Sequence, residues 1–196
     1  MAVRSEIAPI RQVLIHTPGS EHNYTLPKNT TEWVADESGQ LIHNPDYLLF
    51  DDIISPSGMA AEHNELENVL TAFTGKDHTY QFNDLLVDTL QTPAQRQELY
   101  SACSTLDQKL YGTENSVDIQ QILDLEAADF AAVLLSGRTT KPILETVFKW
   151  PLPNLIFTRD IAVALNNALV LTLSLIHISE PTRRTPISYA VFSLKK

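Results

Sequence analysis

A strand–helix–strand order that yields to a long helical stretch and then returns to strands is what most constrains this chain. Residues 12–17, QVLIHT, read as a buried strand that stops at the turn signal Pro18-Gly19. Residues 57–73 are helical: Met59, Leu66, Val69, Leu70 and Phe73 fall on one stripe, and Gly75 stands where a C-cap is expected. Residues 78–82 alternate like a strand, which completes an α/β pattern. Residues 83–149 then read as an all-helical insert. A short helix over 83–90 precedes Thr92-Pro93-Ala94-Gln95, the signature of a capping box with Thr92 as N-cap. Leu99, Cys103, Leu106 and Leu110 carry that next helix as one apolar face. Helices near 117–123 and 125–136 follow, the second ended by Gly137. Strands return over 154–158, 161–165 and 168–172, with Asn166-Asn167 as a two-residue hairpin turn.

Between the first strand and the first long helix, residues 20–46 read as a long polar surface loop with a short hairpin around Glu37-Ser38-Gly39. The whole chain, 196 residues with 43% apolar and 19% charged content, has the composition of a globular domain with a real core. No apolar run approaches the roughly 20 residues of a membrane span, and the N-terminus has no apolar signal core. A single cysteine, Cys103, excludes an internal disulfide and suits a reducing cytoplasm, the expected location. The formal net charge of −10 argues against nucleic acid or anionic membrane as partner and is compatible with a cationic small molecule.

The segment PLPNLIFTRD, residues 151–160, concentrates two prolines, a short apolar run and an Arg159–Asp160 pair. A carboxylate at the end of a buried strand is costly unless a cation meets it. Arg159 and a cationic ligand are the nearest candidates. A guanidinium would receive two parallel charge-assisted hydrogen bonds from such a carboxylate.

EIAPIRQVLIHTPG, NPDYLLFDD, the helix with Glu62-His63, the helical insert and PLPNLIFTRD occur in that order. Together they resemble the N-terminal part of the arginine deiminases, in the guanidino-group-modifying superfamily, over residues 6–172. The resemblance implies part of a five-bladed α/β propeller (pentein type) of ββαβ units, with an all-helical insert at about 83–149. It implies hydrolysis of L-arginine to L-citrulline and ammonia by the full-length parent, without metal or organic cofactor. A cysteine thiolate would attack the guanidinium carbon and a histidine would act as acid and then base. Carried over residue by residue, Asp160 matches the aspartate that grips the guanidinium. Asn154 and Phe157 match pocket-lining residues, and Leu49 matches a leucine near the substrate's α-amino end. Arg159 is read as structural, paired with Asp51 or Asp52. Homo-oligomer formation by the full-length parent is compatible with this reading. Relatives in the same superfamily, amidinotransferases and dimethylarginine hydrolases, share the aspartate logic. A non-catalytic guanidinium-binding scaffold is the alternative of another class.

The catalytic cysteine and histidine of the resemblance fall outside this chain. Cys103 sits on an apolar helical stripe and reads as core packing. His16 and His63 read as satisfying local hydrogen bonds, and His22, His43 and His78 as isolated. No histidine pair has HExxH spacing and there is no glycine-rich phosphate loop. Residues 173–196 break the pattern: Pro181 and Pro186 interrupt strand or helix, and four basic residues stand against one acid. This segment resembles the in-frame translation of a transposase-type sequencing adapter, so 1–172 are expected to be the native part and 173–196 a non-native tail. On that reading the chain is inactive alone. It would also leave a strand edge unpaired near 168–172 and a core unfinished, so aggregation or partial folding is expected.

Overall fold

A computed structural model describes residues 9–48, 53–112, 117–139, 145–149 and 151–158. It also describes the backbone of 162–165, 168–171 and 190–193. The fold is mixed α/β, with helices and small sheets of two, two and three strands among the described residues. β1 (Val13–Ile15) pairs in parallel with β4 (Thr79–Gln81), Val13 opposite Thr79 and Ile15 opposite Gln81. The connection between them carries α1 (Pro56–Thr74), as a parallel crossover requires. Pro56 opens α1 behind the N-cap Ser55, whose Oγ accepts the Gly58 N–H, and Gly75 ends it at φ +87°.

The apolar stripe expected to bury α1 does not. Leu66 is 48% exposed, Val69 55% and Phe73 78%, while His63 is the buried residue of the helix. Helical spacing defines a face but does not say that a neighbour covers it.

Residues 20–46 are more ordered than a surface loop. A 3₁₀ turn at Ser20–Tyr24 carries the buried Glu21 and His22. β2 (Trp33–Ala35) and β3 (Leu41–His43) form the expected hairpin. In its turn Asp36 Oδ1 accepts from Ser38 N–H at 2.8 Å and Gln40 N–H at 2.9 Å, and Gly39 takes φ +82°. A bond from the Ser38 hydroxyl at 2.7 Å, and then the one from Gln40 N–H, hold the Asp36 carboxyl below its ordinary range. Asn44 staples the hairpin's base, donating to the carbonyls of Lys28 (2.7 Å) and Thr31 (2.8 Å).

The insert is helical as expected: α2 (Phe82–Thr89), α3 (Pro93–Tyr111), α4 (Ile119–Leu123) and α5 (Ala127–Ser136). Thr92 caps α3 in position, but its side chain makes no cap bond, so the capping box does not form. Leu106, expected in the core, is 56% exposed, and Tyr100 and Asp107 are the buried residues of α3. α5 is buried almost all round and ends at Gly137, φ +71°. Leu90, Tyr100, Ile122 and Val147 pack around its Phe130 as one core. Arg96, which sequence patterning does not single out, donates from Nη1 to the carbonyls of Leu123 (2.9 Å) and Leu125 (2.6 Å). It thereby satisfies backbone groups that the short α4 leaves open.

The strand expected over 154–158 is absent. Pro153–Ile156 form a 3₁₀ turn with Pro153 at its start. Proline cannot donate to a ladder, and its fixed φ suits a first helical position. β5 (Ala162–Leu165) and β6 (Ala168–Leu171) are antiparallel, Leu165 opposite Ala168, the register a two-residue connection demands. The edge of β6 expected to be unpaired is covered by β7 (Ala190–Ser193). The stretch beyond Pro186 is free of proline, so a strand can form there.

Candidate functional site

Two prominent regions carry the chemistry. The first is PLPNLIFT. Leu152 N–H donates to the carbonyl of Leu135 at 2.8 Å, which docks the segment on the end of α5. Thr158 Oγ1–H donates to the carbonyl of Leu14 at 3.0 Å, which ties it to β1. Asn154 is half-buried in the 3₁₀ turn, and its carbonyl accepts the Phe157 N–H at 3.0 Å. Phe157 is 47% exposed. One turn therefore brings together the two sequence-predicted pocket residues. Leu49, Asp51, Asp52, Arg159 and Asp160 lie outside the described residues.

The second region is a polar cluster that sequence reading divided into isolated histidines. β1 ends at Ile15, and the next residues turn inward. His16 Nε2–H donates to Glu21 Oε1 at 3.0 Å, and Gly19 N–H reaches the same oxygen at 2.6 Å. His22 Nε2 lies 3.6 Å from it. Glu21 is 1% exposed. Burial alone would raise its pKa, but the bonds from His16 and Gly19 outweigh this and hold the carboxyl below its ordinary range. Burial pushes His22 down, against an upward pull from Glu21 and a further push from His16. The edge of the His16 ring meets Phe82, centroids 5.8 Å apart.

Thr17 and Gln81 join this cluster to α1 and β4. Thr17 N–H donates to Gln81 Oε1 at 3.1 Å, and Gln81 Nε2 returns a bond to Thr17 Oγ1 at 2.9 Å. The same amide nitrogen donates to Glu67 Oε2 at 2.8 Å. Thr17 Oγ1 and His63 Nδ1 share a hydrogen bond at 3.2 Å. Burial depresses the His63 pKa, with Glu67 pulling the other way. His16 and His63 thus make the local bonds expected of them, whereas His22 belongs to a cluster. The signal was present in HTPGSEH, two histidines and a glutamate within seven residues after a strand. A cavity of about 360 Å³ opens beside these residues, lined also by Asp84 of α2 and Leu135 of α5.

Cys103 is half-buried against the helical core. Burial, then the charge of Asp107, raises its pKa, the reverse of what an attacking thiolate needs. Among the described residues no three His, Cys, Asp or Glu side chains converge as metal ligands. No helix there is long and apolar enough to cross a membrane.

No family model matches the chain. It is 26% identical over 188 residues to an arginine deiminase of Mycobacterium avium (strain 104), covering 87% of this chain and 42% of that protein. The arginine deiminase of Mycolicibacterium gilvum (strain PYR-GCK) is 26% identical over 208 residues, 97% of this chain and 47% of that one. The one from Mycobacterium tuberculosis (strain ATCC 25618 / H37Rv) is 26% identical over 184 residues, 85% and 41%. These matches support a distant relationship to arginine deiminases. The chain spans less than half the length of the curated relatives it matches.

Proposed function

We infer that this chain contributes the guanidinium-gripping wall of a hydrolase that converts L-arginine to L-citrulline and ammonia. The observation that carries the reading is the ordered set LLFDD, helical insert and PNLIFTRD within a chain similar to arginine deiminases over 85% of its length or more. In this reading Asp160 holds the guanidinium through paired charge-assisted hydrogen bonds, and Asn154, Phe157 and Leu49 shape the pocket around it. Arg159 neutralises Asp51 or Asp52. The architecture is a portion of a five-bladed propeller, with 1–172 as the catalytic-domain portion and 173–196 as a non-native tail. The nucleophile is a cysteine supplied elsewhere, because the raised pKa of Cys103 and its place on the insert core do not suit attack.

The test is calorimetric titration of L-arginine into the 196-residue chain and its Asp160→Ala variant, with a citrulline assay alongside. Saturable binding that Asp160→Ala weakens at least tenfold, with no citrulline formed, is the expected result. Citrulline formation by the chain would overturn the assignment of the nucleophile. Binding that Asp160→Ala leaves intact would overturn the role of the aspartate.

A further inference from the structure

The 3₁₀ turn at Ser20–Tyr24 is held in place mainly by side chains. The backbone bonds at its two ends, His22 N–H to the Gly19 carbonyl and Thr25 N–H to the His22 carbonyl, are both 3.3 Å long, beyond the usual range. Glu21 makes the shorter bonds, accepting Gly19 N–H at 2.6 Å and His16 Nε2–H at 3.0 Å. The turn packs against α5, and Arg138, just past that helix, stands 5.5 Å from the Tyr24 ring centroid. The same two supports carry the turn with Asn154 and Phe157. Leu135 of α5 accepts the Leu152 N–H, and Leu14 of β1 accepts the Thr158 hydroxyl.

Four titratable side chains are buried around this seat: His16 and Glu21 are 1% exposed, His22 4% and His63 7%. His16 Nε2 and His22 Nε2 lie 3.0 and 3.6 Å from the same oxygen, Glu21 Oε1. One carboxylate balances one imidazolium. His16 carries that charge, since its field opposes protonation of both His22 and His63. A proton taken up by His22 therefore puts a second positive charge on a carboxylate that already serves His16. The charges that act on His22 are those of Glu21 and His16. From α1 come His63 and Glu67, and from α2 comes Asp84 on the cavity wall. β4 adds the neutral Gln81, and α5 adds Ala132 and Leu135, with Asp129 one turn before Ala132. Arg138 adds a positive charge beside the turn.

We propose that the Ser20–Tyr24 turn is an acid-released latch: proton uptake by His22 and His63 expels it from its seat on α5, while the insert core stays folded. In the released state water reaches the imidazolium rings, and the cost of burying their charge disappears. Burial holds His22 and His63 below the ordinary 6.5, so the released form takes up protons first as pH falls. Glu21 titrates below the ordinary 4.5, so it is still a carboxylate when release begins. The core around Phe130 contains no histidine and no carboxyl group, and does not answer to the same protons. The latch rests on no reading of what Asn154 and Phe157 bind.

Hydrogen exchange on the 196-residue chain tests the latch, read by mass spectrometry at about pH 7.4 and about pH 5.4 and corrected for intrinsic rates. Amides of residues 20–25 should lose about tenfold in protection at the lower pH, reversibly, and those of α5 less than about twofold. The ring signal of His22, followed by NMR, should titrate with the midpoint of that loss. His22→Gln should keep most of the turn's protection at the lower pH, and His63→Gln should move the midpoint to lower pH. Should His22→Gln lose its fold, His63→Gln and the ring titration of the unaltered chain carry the test. Protection of the turn that is indifferent to pH would overturn the latch, as would an equal loss across α5, which is global unfolding. A ring midpoint apart from the exchange midpoint, or an unchanged release in the folded variants, would overturn it too.

Discussion

The helical insert and the pocket beside β1 are both buried, by opposite means. In the insert, Leu90, Phe130, Ile122 and Val147 exclude water with apolar surface, and Arg96 closes the exposed backbone ends. In the pocket, Glu21, His16, Thr17 and Gln81 are held by side-chain hydrogen bonds at 2.9–3.1 Å. Apolar burial has no direction and tolerates rearrangement. A charged hydrogen-bonded cluster is directional, and it loses most when one partner is removed. The insert therefore supplies stability, and the pocket supplies position.

The sharpest way to break the contrast is in the insert. Phe130 is completely buried, and Phe130→Ala should cost about 3–5 kcal/mol in urea unfolding. A loss below about 1 kcal/mol would mean that the insert is not the main core.

The pocket should respond less to truncation and more to pH. Glu21→Gln keeps the shape and removes the charge, at an expected cost of about 1.5–3 kcal/mol. His22 and His63 titrate in the native chain below the ordinary 6.5, so the unfolded chain takes up protons first as pH falls. Their contribution is complete above pH 6.5 and is lost downward from there through the native values. Glu21 titrates below the ordinary 4.5, so its contribution is present above that pH and lost beneath it. The urea midpoint should fall in two stages on acidification, and Glu21→Gln should diminish the lower one, to which Asp36 also contributes. A midpoint flat from pH 7 to 4 would show that the cluster does not couple to folding.

The smallest effect belongs to the exposed stripe of α1. Phe73→Ser should change stability by no more than about 0.5 kcal/mol, as at other exposed positions. A loss above about 1.5 kcal/mol in the same unfolding measurement would show that the stripe is covered in solution, as its periodicity had suggested.

Local signals in the sequence were good guides to local structure. Pro56 and Gly75 bracket α1, Gly137 ends α5, and the turn around Glu37-Ser38-Gly39 closes a hairpin. What was not legible depends on partners distant in sequence. Arg96 finds carbonyls 27 and 29 residues away, and Thr17 finds Gln81 64 residues away. Periodicity placed Leu66 and Phe73 on one face without knowing that nothing described covers them. Apolar runs favoured a strand over 154–158, and Pro153 turned it into a 3₁₀ turn. Of the residues assigned by resemblance, Asn154 and Phe157 fall together in one turn.

The bond from Thr158 to Leu14 joins positions 144 apart. Closing a loop of that length carries a large entropic cost until the intervening chain has condensed. The 3₁₀ turn that carries Asn154 and Phe157 should thus be seated late, after the helices between have collapsed onto one another. On the ribosome β1 can pair with β4 once Gln81 has emerged, whereas its tie to Thr158 has to wait until the whole insert has been made.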